Sequence, residues 1–280
     1  MSVGPVAELR RFPIKSFQTG LVERVDLDAT GIVGDRFLGL REIGTDRVLS
    51  AKAPRIGEIL LGFHAEFDAE PVAGQPMPSV TFTISGETFS SADPAAVAAA
   101  ASAALDLDVE LVTAGGTAMT YASEWPDIGE GFALSGIELD LPSALAEQGS
   151  FADLEPLHLL STASIDHIQA RAGESEITAD RFRPSMLIDT GDADGLVENG
   201  WVDRTATLGT ATIRFGSTAP RCVMTTRAQA GLPRDKNVLQ TIAAATKRPF
   251  GGFGDFPSLG IYAEVVEAGA VAVGDTLTFT

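Results

Sequence analysis

The chain of 280 residues has a single cysteine, Cys222, and three scattered histidines, His64, His158 and His167. One cysteine excludes an intrachain disulfide and an iron–sulfur cluster held by four cysteines of the chain. With the histidines so dispersed, no tetrahedral zinc motif can be written. Positive charge is also short: 20 Lys+Arg stand against 38 Asp+Glu, a formal net charge of -18. An acidic surface repels phosphate backbones and anionic headgroups, so neither nucleic acid nor a membrane is expected as a partner. There is no G-x-G-x-x-G after the first strand-like stretch, no Walker loop and no G-x-S-x-G elbow. Met1-Ser2-Val3-Gly4-Pro5 shows no basic segment leading into an apolar core, so no signal peptide is expected. The alanine-rich run 95–104 is too short for a bilayer and contains Ser102. A soluble, cytoplasmic protein is the expectation.

What is present is a hydrophobic share of 45 %, enough for a sizeable core. Short strand-like stretches dominate. Residues 6–12 read as a strand feeding the loop Pro13-Ile14-Lys15-Ser16, and 21–27 read as a second. Stretches 37–43 and 47–50 read as a hairpin around Gly44-Thr45-Asp46. Val80, Phe82 and Ile84 alternate with threonines. Asp93-Pro94 starts a helix over 95–105, and 109–112 is a short strand. A strand at 157–160 runs into Ser161-Thr162-Ala163-Ser164, then Ile165, Ile168 and Ala172 at helical spacing. Arg181 and Arg183 alternate about Phe182, which would set both on one face of an extended segment before the strand 186–189. Residues 205–215 are strand-rich. Asp235 caps a helix that Pro249 and Gly251-Gly252 stop, and 261–267 with 271–279 close the chain as a strand pair. No element is assigned to 125–132. The expected class is mainly β with inserted helices (α+β), a pair of β-barrels, with a seam at Ala114-Gly115-Gly116-Thr117 dividing 1–115 from 116–280.

Cys222 lies in Thr218-Ala219-Pro220-Arg221-Cys222. Pro220 ends a strand, since it has no N–H for the ladder, and leaves the thiol at an element's edge. Arg221 is a fixed charge beside it that favours thiolate. Cys222 is therefore either a small buried apolar group or a nucleophile or soft-metal ligand. Lys15 with Ser16, Arg36, Ser161 with Thr162, and Arg181 with Arg183 also stand at expected strand ends or turns. Cations with hydroxyls suit a phosphate or another oxyanion. The plain alternatives are a helix cap for Ser161 and Thr162 and surface ion pairs for the arginines.

Phe12-Pro13-Ile14-Lys15-Ser16, followed by Gly31-Ile32-Val33-Gly34-Asp35-Arg36, resembles the N-terminal β-barrel domain that precedes a MOSC domain. Asp180-Arg181-Phe182-Arg183-Pro184, Arg221-Cys222, Gly260-Ile261-Tyr262-Ala263 and Val273-Gly274-Asp275-Thr276-Leu277 resemble the MOSC domain itself. The chain is thus similar to the amidoxime-reducing component family. The resemblance implies molybdenum cofactor (molybdopterin), ligated through Cys222. It also implies contacts from Lys15, Ser16 and Arg36, and further ones from Ser161, Thr162, Arg181, Arg183, Ser185 and Arg221. Many relatives carry Asn where Ser185 stands, and a hydroxyl replaces only part of an amide's donor and acceptor pair. The implied activity is reduction of N-hydroxylated or N-oxygenated small molecules, with electrons from a separate donor protein. Two other readings remain open: a sulfur carrier with a persulfide on Cys222, and a non-enzymatic molybdopterin-binding module.

Overall fold

The computed structural model describes residues 1–124, 138–249 and 254–280. Seven strands close into a barrel. Their spatial order is Leu157–Ser161, Met186–Ile188, Ser2–Arg10, Thr276–Phe279, Thr205–Leu208, Ala211–Pro220 and Asp255–Glu267, and the last pairs back onto the first. Neighbours run antiparallel except Leu157–Ser161 against Met186–Ile188. A parallel pair needs a crossover, and the helix Thr162–Gln169 lies in it. Alternating side chains fill the interior with Val6, Leu9, Leu159, Ile188, Ile213 and Ile261, and Trp201 packs its ring 5.4 Å from that of Phe215.

A second core forms around Phe17, Phe63, Phe82, Ile84, Val97 and Val109. It is enclosed by the meander His64–Phe67, Val80–Ile84, Glu87–Ser90, by the pair Leu38–Glu42 with Val109–Thr113, and by the helix Pro94–Leu105. Asp93 caps that helix as expected, accepting from Ala96 N at 3.0 Å. Pairing crosses the 115/116 seam in both directions. Ser2–Arg10 is a barrel stave, and Gly269–Ala272 pairs with Arg24–Asp28.

Several local expectations need correction. The hairpin around 44–46 closes over a short span, with Glu42 N donating to Arg47 O at 3.0 Å and Leu49 N to Leu40 O at 2.7 Å about an Arg41–Val48 bridge, but Leu38–Glu42 finds its full-length strand partner in Val109–Thr113. The closing strands do not pair with each other: Asp255–Glu267 joins Ala211–Pro220, and Thr276–Phe279 joins Ser2–Arg10. Residues 179–183 are not extended. A 3-10 turn at Ala179–Arg181 is followed by Arg183 at φ +52°, so the two arginines leave in different directions. The last helix, Asn237–Ala245, runs through Thr246 into the strand Lys247–Pro249. The stretch 125–132 and Gly251-Gly252 lie outside the described residues. Among the described residues, no helix is long and apolar enough to cross a membrane.

Candidate functional site

Antiparallel pairing brings several chain segments to one rim of the barrel. Ser2–Arg10 ends there while Met186–Ile188 and Leu157–Ser161 begin, and Ala211–Pro220 ends beside Ser258. The loops beyond these ends meet the second core around a cavity of about 90 Å³, open on one side. Its lining carries Lys15, Arg36, Lys52, Arg183 and Arg221 against two carboxylates, Asp153 and Glu155. The local charge is thus opposite in sign to the chain's -18. Ser16, Arg36 and Arg183 line it with φ of +72°, +52° and +52°, a left-handed backbone that costs a residue with a Cβ on the order of 1–2 kcal/mol.

The cations are gathered by aromatic rings in two pairs. The Arg183 and Arg36 guanidinium carbons lie 4.0 and 4.6 Å from the centre of the Phe12 ring. The Lys15 and Lys52 ammoniums lie 4.6 and 4.9 Å from that of Tyr121. Ring faces are electron-rich and attract cations. A carboxylate completes each pair. Asp35 binds Arg36 and accepts from Phe12 N at 2.7 Å. Asp153 gives one oxygen to Lys15 and the other to Lys52, the latter at 2.9 Å.

The two lysines are driven apart. Burial pushes the Lys15 pKa down against the pull of Asp153. Burial opposes the charge on Lys52 too, yet Asp153, Tyr121 and Cys222 together hold its pKa well above the ordinary lysine value. Burial would raise Asp153, but Lys15 and Lys52 outweigh it and keep the carboxyl far below the usual range. Burial and the neighbouring Arg36 push Arg183 down, and a guanidinium so shifted is still a cation at neutral pH. Arg183 Nη2 donates to Phe17 O at 2.7 Å, while its buried Nη1 has no partner. His158 also lines the cavity; burial, with help from Arg221, pushes its pKa well below 6.5, and its Nε2 is unpartnered.

Cys222 is half-buried and opens onto this cavity two residues after Pro220, where the strand ends as the sequence predicts. It leads a 3-10 turn, Val223–Thr226, and its carbonyl accepts from Thr225 Oγ1 at 3.0 Å. Arg221 lines the cavity but directs its guanidinium to the carbonyls of Ala219, Pro220 and Phe182 at 3.2–3.3 Å. Its first task is to fix the strand end.

Lys15, Ser16, Arg36, Arg183, Ser185, Arg221 and Cys222 come together here. Ser16 Oγ accepts from Ala51 N at 2.8 Å and so holds the loop that carries Lys52. Ser185 exchanges hydrogen bonds with the His158 backbone. Ser161, Thr162 and Arg181 are not brought to the cavity. Ser161 caps the helix Thr162–Gln169 through Ser164 N, and Thr162 Oγ1 pairs with Thr190. Arg181 is fully buried and donates to the carbonyls of Glu176, Thr225 and Pro233. Sequence reasoning missed Lys52, Asp153 and Tyr121. No motif marks them, and only the shortage of lysine in the chain singles out Lys52.

Residues 146–278 match the MOSC domain, and this part of the chain is a MOSC domain. No curated protein matches the chain. Among solved structures the chain is similar to the YuaD protein from Bacillus subtilis, at 12 % identity over 98 % of this chain and 93 % of that one, with a TM-score of 0.44. It is also similar to YiiM from Geobacillus stearothermophilus, at 16 % identity over 45 % and 54 % of the two chains, with a TM-score of 0.31.

Proposed function

We propose that the chain is a molybdenum-cofactor-dependent reductase of N-oxygenated small molecules, with Cys222 as its ligand to molybdenum. The observation that carries this is a half-buried thiol, itself in the MOSC domain, opening onto five cations in a strongly acidic chain; the MOSC domain is associated with molybdenum-cofactor binding. The donor set suits the group: a thiolate for a soft metal, and Lys15, Arg36 and Arg183 for the anionic end. The unpartnered Nη1 of Arg183 is a buried donor awaiting an acceptor. The cavity has room for at least a phosphate-sized anion among these cations. When bound, the group supplies two-electron removal of oxygen from an N–O bond. The chain's own side chains would hold its charge. With one cysteine and no flavin fingerprint, the chain takes its electrons from a separate protein.

The test is expression in a host that makes the cofactor, followed by metal analysis, pterin fluorescence and turnover of hydroxylamines and amidoximes with a chemical electron donor. Near-stoichiometric molybdenum and turnover are expected in the wild type, with turnover lost in Cys222→Ala. Full turnover in that variant refutes the assignment of Cys222.

A half-buried single thiol that opens onto a cluster of cations also fits a second reading, a sulfur carrier with a persulfide on Cys222. Mass spectrometry would then find one extra sulfur on Cys222 in protein free of molybdenum.

A further inference from the structure

Five cations line the cavity, and four are each anchored within 3.3 Å to a group that no other of them shares, Arg183 through Nη2 alone, with its Nη1 left free. Lys15 donates to Phe151 O at 2.8 Å and to Asp153. Arg36 binds Asp35, Arg183 binds Phe17 O, and Arg221 binds three carbonyls. Lys52 differs. Its ammonium has the Asp153 oxygen at 2.9 Å and a long contact of 3.4 Å to the Tyr121 hydroxyl. An ammonium has three donors, and one of these contacts is a carboxylate shared with Lys15. Of the two lysines on Asp153 it is the more open, its side chain at 13 % exposure against 4 % for Lys15, and Arg36, at 16 %, is tied instead to the adjacent Asp35.

The backbone under Lys52 is fixed. Lys52 N donates to Ser50 Oγ at 3.1 Å, and Lys52 O accepts from Glu124 N at 3.0 Å and from Arg227 Nη2 at 3.4 Å. Arg227 is itself buried and paired with Glu124 at 3.0 Å. A long, charged side chain thus stands on a hydrogen-bonded backbone in the cavity that Cys222 lines, which is the arrangement of a residue that positions a ligand.

We propose that Lys52 orients the substrate, its ammonium leaving Asp153 Oδ2 to bind the oxygen end of an N-oxygenated or oxyanionic substrate beside Cys222. The inference rests on the reductase reading for the identity of that substrate. Asp153 is then an internal stand-in for the incoming oxygen, retained by Lys15 when Lys52 departs. Lys52 thereby determines which end of the substrate faces the thiol.

The test uses the cofactor-free protein first. Cys222 is alkylated with iodoacetate, which is anionic, and with iodoacetamide, which is neutral, and the ratio of the two rates is recorded. Lys52→Met lowers that ratio by about fivefold or more, as removal of a nearby positive charge requires. Lys52→Arg keeps it within about twofold of the wild type, and Asp153→Asn raises it by freeing the ammonium. In the loaded protein, Lys52→Met raises KM for a hydroxylamine substrate about tenfold with unchanged molybdenum content, and Lys52→Arg restores it. An unchanged ratio in Lys52→Met, or an equal fall in Lys52→Arg, overturns the proposal. Loss of molybdenum in Lys52→Met also overturns it, by moving Lys52 into the cofactor's cradle. Wild type without molybdenum removes the reductase reading alone, and the alkylation ratio then upholds or overturns Lys52 as the oxygen-binding group beside the thiol.

Discussion

Arg183 sets its guanidinium 4.0 Å from the centre of the Phe12 ring, joining a residue of the opening segment to one that precedes a barrel strand. The left-handed φ of +52° at Arg183 turns the side chain into the cavity and away from the environment of Arg181. Stacking on the ring and a free Nη1 both depend on a planar fork, which lysine lacks. Arg183→Lys keeps the charge and loses that geometry. We expect inorganic phosphate to bind about tenfold more weakly to Arg183→Lys by calorimetric titration, with little change in Tm. Equal affinity would mean that only the charge matters.

Ser161 and Thr162 give a prediction of the opposite kind. Ser161 Oγ accepts from Ser164 N at 3.1 Å, and its own N–H donates to the buried Glu198 at 2.6 Å. Thr162 Oγ1 accepts from Thr190 N at 3.1 Å. Ala163 N also donates to Thr190 Oγ1 at 3.2 Å, so the amides of Ala163 and Ser164 in the first turn of the helix are satisfied locally and both hydroxyls are engaged away from the cavity. Ser161→Ala should cost about 1 kcal/mol in urea unfolding and leave the molybdenum content of loaded protein at the wild-type level. A fall in molybdenum without a fall in stability would restore Ser161 to the cofactor site.

The physical reason that some of this was legible is locality. Pro220 ends a strand because it lacks an N–H, and Asp93 caps a helix through a residue three positions on; both effects are written in adjacent residues. The alternation at Val80–Ile84 likewise needs no distant partner. Lys52 and Asp153 are about a hundred residues apart, and their meeting at 2.9 Å depends on how the second core leans on the barrel rim. Arg221 shows how adjacency tells of charge but not of hydrogen bonding. Adjacency to Cys222 pointed to a thiolate partner, yet nearby backbone carbonyls took the guanidinium. The strand partner of Leu38–Glu42 was missed for the same reason, since a hairpin is local and Val109–Thr113 is not.

His158 carries a pH dependence whose sign can be worked out. Its ring is buried, lies 5.7 Å from that of Tyr262, and packs so closely on Gly260 that any Cβ there would come within 2.5 Å of Nε2. Gly260 has φ +81° and must remain glycine for both reasons. Burial, then the charge of Arg221, holds the folded-state pKa well below 6.5. Above about pH 6.5 the ring is neutral in the folded and unfolded chains, and it has no effect on the balance. As pH falls below that value the unfolded chain takes up a proton that the folded chain refuses, and stability declines by up to about 1.4 kcal/mol per pH unit until the folded pKa is reached. Asp153, also depressed, adds its loss only below about pH 4, where unfolded carboxylates protonate. Glu155 and Glu198 have raised pKa values and act in the opposite sense, but equally in wild type and variant. The difference between wild type and His158→Gln therefore isolates the ring. Urea unfolding at pH 7.5 and 5.5 should show the wild type losing about 1 kcal/mol more than His158→Gln. Equal losses would mean that the folded protein accommodates a charged His158, and that the five cations around it do not exclude a sixth.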